Sequence, residues 1–214
     1  MKQHGEVLLV VPKTSPRTLR GVQRWHRRLL EMAVRLEFEQ LVLRAAQNAL
    51  KIEIGRYAPF MKDPAVKSAA VMALSHLNVL KRQNSERLRE VSARIRIVHD
   101  TNEAILRVLL EAHGAKETVR SVDARGPAPG SNLLHGMGWL HEVATADYLS
   151  AQGRAAFVTF GSVFDPAGID VIAFSSARRR IPFDLLAVVR GQKKRPPNKH
   201  LQPSALDDDV KRRG

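Results

Sequence analysis

Apolar residues recur at helical spacing through most of the first half of this chain, and no other feature restricts its architecture so strongly. Leu29, Ala33, Leu36, Leu43, Ala46 and Leu50 follow one another at intervals of three, four and seven, and Val91, Ile95, Val98, Ile105, Val108 and Leu109 continue in the same manner. Such spacing gives a helix one apolar side. Thr14-Ser15-Pro16 offers a cap followed by a first-turn proline, so a helix is expected from about Arg17 to Ile54, interrupted at Pro59. Asp63-Pro64 repeats the cap-plus-proline signal, and Val66, Ala69, Ala70, Ala73, Leu74 and Leu77 carry a second helix over 64–81. A third is expected from Ser85 to His113, with Gly114 closing it at C′. A short strand over Glu6–Val11, stopped by Pro12, would precede them.

Helices joined by such short breaks fold back on one another. Residues 1–122 therefore read as a helical hairpin or small bundle. Residues 123–131, D-A-R-G-P-A-P-G-S, alternate proline and glycine so that neither helix nor strand persists, and they read as a linker. Residues 132–192 then form a small α/β domain, and 193–214, beginning K-K-R-P-P at Lys193, a basic tail that is disordered by composition. The fold class expected is α+β: helical first, then an α/β unit with a mixed sheet.

Charge narrows the partner. Lys and Arg total 35 against 21 Asp and Glu, a formal net charge of +14 over 214 residues. That surplus favours polyanions, nucleic acid above all and DNA in particular. Aromatic residues make up 5%, too few for a platform that stacks single-stranded bases. Without cysteine there are no disulfides or thiolate metal sites, which fits a reducing cytoplasm, the expected location. No apolar run approaches the ~18 residues of a membrane span, and the five-residue run near the N-terminus is too short for a signal peptide. P-loop, nucleophile-elbow and zincin motifs are missing from the sequence. The Arg- and Glu-rich side of the third helix reads as a solvated face laced by i,i+4 pairs. The alternative is that Arg87, Arg94, Arg96 and Arg107 there meet phosphates.

The chemistry-bearing stretch runs from His135 to Val189. Leu140, Val143, Ala144, Tyr148 and Leu149 share one side of a helix ending at Gly153, with Glu142 beside that stripe. A-A-F-V-T-F reads as a strand by its β-branched and aromatic content, G-S-V-F-D-P-A-G as a loop, and I-D-V-I-A-F as a second strand bearing Asp170. After the basic turn A-R-R-R, I-P-F-D-L-L-A-V-V is expected as a third strand bearing Asp184.

This run, over about residues 136–190, resembles the PD-(D/E)XK nuclease superfamily, the restriction-endonuclease-like fold that includes archaeal Holliday-junction resolvases. Glu142, Leu149 and Gly153 match its helix motif, and G-I-D-V-I-A from Gly168 to Ala173 matches its first aspartate motif. The closing acid-x-Lys motif departs: two residues beyond Asp184 stands Leu186. A second alignment makes Asp184 the first aspartate and places Gln192 and Lys194 as the following pair.

The resemblance implies a magnesium ion held by Asp170 and Asp184, with Glu142 assisting, for hydrolysis of phosphodiester bonds. Arg178, Arg179, Arg180, Arg190, Lys193, Lys194 and Arg195 would grip the nucleic acid. The missing lysine supports a different reading, a non-catalytic protein that only binds nucleic acid through its basic surface. In that reading the N-terminal helices mediate assembly, a homo-oligomer among the options.

Overall fold

A computed structural model describes residue 12, residues 14–124 and residues 138–189. Two long antiparallel helices dominate it. Helix α1, Leu19–Tyr57, starts where the Thr18 hydroxyl accepts a hydrogen bond from the Gly21 amide at 3.2 Å. That is later than Thr14-Ser15-Pro16 led one to expect, because the backbone before Leu19 is already engaged. Thr18 forms an antiparallel bridge with Arg180, and the Ile181 amide donates to the Arg17 carbonyl. The 3₁₀ turn Pro59–Lys62 then reverses the chain into α2, Lys67–Ala112.

Helix α2 is continuous, although two helices were expected over this stretch. Ser85, expected as a helix start, bonds its hydroxyl back to the Lys81 carbonyl one turn earlier (2.8 Å), so the helix runs through it.

The two helices meet along a heptad seam. On α1 the inward positions are Leu29, Ala33, Leu36, Gln40, Leu43, Gln47, Leu50 and Ile54. On α2 they are Ala70, Leu74, Leu77, Lys81, Asn84, Leu88, Val91, Ile95 and Val98. The spacing alternates four and three, the repeat of a coiled coil. Polar rungs interrupt the seam and fix its register, since sliding one helix by a turn would strand them. Gln40 donates to Ser92 (2.9 Å), Gln47 donates to Ser85 (2.9 Å), and Asn84 donates to both the Leu43 carbonyl and the Gln47 side chain. The expected solvated face of α2 is laced as anticipated: Arg87 pairs with Glu39 and Glu90, Arg94 with Glu90, and Arg107 with Glu103 and Asp123.

After α2, Gly114 takes a positive φ of 85° and closes the helix, and α3 (Lys116–Asp123) packs back on it. Helix α4 (Gly138–Ala151) ends near Gly153, whose φ is 81°. Strand β1 (Ala155–Val158) pairs antiparallel with β2 (Val171–Phe174), Ala155 opposite Phe174 and Val158 opposite Val171. Among the described residues this two-stranded ribbon is the whole sheet, where a mixed sheet was expected. The expected third strand is a short helix, α5 (Leu185–Val189). Its apolar run buries Leu185 and Leu186 against the hairpin base, while Asp184 caps its amides. The strand expected at Glu6–Val11, most of the linker and the basic tail lie outside the described residues.

A two-stranded ribbon has little stability alone, and this one is fastened to the hairpin. All four residues of β1 are buried. At its end the His26 ring meets the Val158 carbonyl at 2.8 Å, and the Asn102 amide donates to the Phe160 carbonyl at 2.8 Å. One continuous apolar cluster runs from Leu19 and Trp25 through Val98 and Ile105 to Phe157, Phe164 and Leu186. Gly161 follows at φ 61°, so close to α2 that an added Cβ would lie 2.2 Å from the His99 ring. Gly161→Ala is therefore expected to lower stability by roughly 2 kcal/mol or more, through left-handed strain plus overpacking. Gly55→Ala, with nothing within 4 Å of the new methyl, should leave stability equal or slightly higher. Thermal melts of the two variants check the contrast.

Candidate nucleic-acid interface

The three carboxylates singled out by the sequence do not converge. Glu142 projects from α4 and Asp170 sits exposed immediately before β2, where its backbone carbonyl accepts the Thr159 amide (3.0 Å). These two are near enough for their charges to interact. Burial holds the Glu142 carboxyl above the usual carboxylate range, and the negative charges of Asp165 and Asp170 push it further in the same direction. Asp165 comes from the loop between the strands, a position to which the sequence reading gave no role.

Asp184 stands apart. Its Oδ1 accepts the amides of Leu186 (3.0 Å) and Ala187 (3.2 Å), so its carboxylate serves as the cap of α5 rather than facing Asp170 from a neighbouring strand. Among the described residues no group of three or more His, Asp or Glu side chains is disposed to hold a metal ion. The third strand, from which Asp184 was expected to face Asp170 across a magnesium ion, is replaced by this capped helical turn.

The arginines are gathered where the acids are not. A cleft of about 260 Å³ opens between α1 and α4 over the edge of β1, lined by Arg20, Arg24, Arg27 and Arg154 with Gln23, Ser150 and Val158. Arg20, Arg24 and Arg27 recur at four and three along α1, flanking the side that buries Val22, Trp25 and Leu29. Arg154 follows the Gly153 turn that leads into β1, and the Gln23 amide donates to the Ser150 hydroxyl across the cleft. The only acid in the lining is Asp147, which receives both Arg27 nitrogens (2.9 and 3.3 Å).

The expected basic turn lies on the same side of the molecule. The Leu19 amide donates to the Arg179 carbonyl and the Arg20 amide to the Ala177 carbonyl, which holds exposed Arg178, Arg179 and Arg180 against the start of α1. Arg17, Arg20, Arg24, Arg154, Arg178 and Arg180 make no ion pair among the described residues. Arg190, Lys193, Lys194 and Arg195 lie outside those residues.

Beneath the cleft His26 is buried and neutral. Burial lowers its pKa to about 4, only partly offset by its bond to the Val158 carbonyl, which fixes the proton on Nε2 as donor. His113 is also lowered, by burial and then by the nearby Arg179. Neither ring is a proton-transfer group of ordinary basicity.

No family model, curated protein or solved structure matches the chain. Arg20, Arg24, Arg27 and Arg154 were missed in the sequence. The helical spacing of the first three is legible there, but their meeting with Arg154 depends on how α4 and β1 dock on α1.

The histidine has a measurable consequence. Unfolded, His26 takes up a proton near 6.5, whereas folded it resists until about 4. The unfolded state binds the extra proton in that window, so stability is full above it and falls by on the order of 3 kcal/mol as pH drops from 6.5 to 4. His113 adds in the same direction, and Glu142, with its raised pKa, opposes. Denaturant titrations at stepped pH should show a shallower dependence for His26→Gln than for the wild type; equal slopes would refute the assignment.

Proposed function

We propose that the protein binds nucleic acid, DNA in particular, by its phosphate backbone. The binding face comprises the start of α1, Arg154 and the Arg178–Arg180 turn, and the bound strand is not cut. The carrying observation is the partition of cations. Arg87, Arg94 and Arg107 of α2 are matched by Glu39, Glu90, Glu103 and Asp123, whereas around the cleft only Arg27 has an acidic partner, Asp147, and Arg20, Arg24 and Arg154 make no ion pair among the described residues. Guanidinium groups match phosphate oxygens in charge and in fork geometry. The overall charge of +14 adds long-range attraction.

A second reading, a magnesium-dependent phosphodiesterase resembling the PD-(D/E)XK nucleases, draws on the mutual repulsion of Glu142, Asp165 and Asp170, which a cation would relieve. It would have to work without Asp184 and without the motif lysine.

Binding to labelled duplex and branched DNA should weaken steeply with salt, since each phosphate contact releases condensed counterions. Replacing Arg20, Arg24 and Arg154 together by alanine is expected to cut affinity at least tenfold and to flatten the slope of log K against log salt by about 3. Replacing the ion-paired Arg87 and Arg94 should change neither quantity. In Mg²⁺ or Mn²⁺ no cleavage is expected, and Asp170→Ala should bind as well or slightly better. Cleavage that Asp170→Ala abolishes would establish the second reading, and salt-insensitive binding would remove nucleic acid as the partner.

A further inference from the structure

We propose that the cleft between α1 and α4 is a pocket for the terminal phosphate of a nucleic-acid strand, a phosphomonoester rather than a backbone diester. This rests on the nucleic-acid reading above and sharpens it. The exposed Arg178–Arg180 turn meets the continuous backbone, and the cleft takes the end.

The walls of the cleft are joined at both of its ends. At one end the Arg20 amide of α1 donates to the Ala177 carbonyl (2.8 Å), and the Ala177 amide donates to the Gly153 carbonyl (2.9 Å) just beyond α4. At the other end Arg27 of α1 reaches Asp147 of α4 at 2.9 Å. The Gln23–Ser150 bond crosses between these ties. A continuous strand threading the cleft would have to enter at one end and leave by the other, and both ways are tied. The volume is about 260 Å³, over a buried floor of Ala146, Ala156 and Val158. It is a short recess that a strand end can enter and along which a duplex cannot lie.

Charge fits the same ligand. From Arg20 to Arg27 the helix advances only about 10 Å. Within that length four guanidiniums, those of Arg20, Arg24, Arg27 and Arg154, line the recess against one carboxylate, Asp147. Arg154 is placed by the turn that bears it, its amide donating to the Leu149 carbonyl at 3.2 Å. A backbone diester carries a single charge, whereas a terminal monoester carries roughly −1.5 to −2 at neutral pH, with a second pKa of about 6 and three acceptor oxygens. Several forked cations at close quarters match the dianion better. Asp147 competes with it, because the carboxylate already holds both Arg27 nitrogens (2.9 and 3.3 Å).

The test uses the full chain and internally labelled DNA of one sequence, as a closed circle and as linear duplexes ending in hydroxyl, 5′-phosphate or 3′-phosphate. At pH 7.5 a phosphate at the 5′ or the 3′ end should tighten binding about tenfold over a hydroxyl end, the worth of one added charge-assisted contact. That ratio should shrink as pH falls to 5.5, where the monoester loses its second charge. His26 in the lining does not titrate in this window, its pKa being about 4. Asp147→Asn, at an exposed position, should raise the preference further by releasing Arg27. Ser150→Phe, which fills the recess, should abolish the preference and leave circle binding unchanged; if that variant fails to fold, the Asp147→Asn response decides. Equal binding of circle and all linear forms, or an equal gain of Asp147→Asn on circles and phosphorylated ends, overturns the end pocket while nucleic-acid binding stands. Adenosine monophosphate displacing the phosphorylated end as well as a phosphorylated dinucleotide does would overturn the assignment to a strand. No binding of any DNA would overturn both readings.

Discussion

The end of strand β1 is the buried tie by which the C-terminal side of this molecule is held in the hairpin base. The carbonyls of Val158 and Phe160 leave the ribbon pointing into the hairpin base, where His26 of α1 and Asn102 of α2 meet them. Both side chains are buried, so each carbonyl would lose its partner in a dry environment if they were removed, at about 1–3 kcal/mol apiece. Around this tie the packing is continuous. His26 stacks edge-on against Phe157, Phe174 meets both Phe157 and His113, and Arg107 lies over the Phe164 ring at 5.8 Å. Glu103, held by Arg107, accepts the Val163 amide at 3.3 Å. A ribbon of two strands becomes a fixed platform because two helices of 39 and 46 residues grip one end of it.

That grip also sets the charge distribution. It docks α4 beside α1, which brings Arg154 to the row Arg20, Arg24 and Arg27, and it leaves Asp147 as the sole acid of the cleft lining. The outer hairpin receives no such cover, and its seam is held by polar rungs rather than by large buried side chains. The molecule is thus divided into a well-packed base carrying exposed cations and an outer arm with unburied apolar surface.

Helices were legible in the sequence because their apolar periodicity is local, and so were the α4 helix, both ribbon strands and the helix-closing glycines Gly114 and Gly153. Boundaries set by long-range contacts were not. Thr14-Ser15-Pro16 is an acceptable helix start, and only the bridge from Thr18 to Arg180 moves it. I-P-F-D-L-L-A-V-V has strand composition, yet Leu185 and Leu186 bury equally well from a single helical turn capped by Asp184. Periodicity cannot separate the two for so short an apolar run. The candidate site divides in the same way. Glu142 and Asp170 influence one another only through charge, the Asp184 partnership depended on the strand that became α5, and the arginine cleft is assembled from three distant segments.

The central claim, that the ribbon stands only because the hairpin holds it, can be tested with the chain's two tryptophans. Trp25 lies on α1 at the hairpin base and Trp139 on α4. Denaturant unfolding followed separately in Trp139→Phe and Trp25→Phe should give coincident transitions. Adding Asn102→Leu should shift both midpoints together to lower denaturant, as expected of one cooperative unit. Two separate transitions, or an Asn102→Leu shift confined to the Trp139 signal, would show that the C-terminal part folds without the hairpin's grip and would contradict the account.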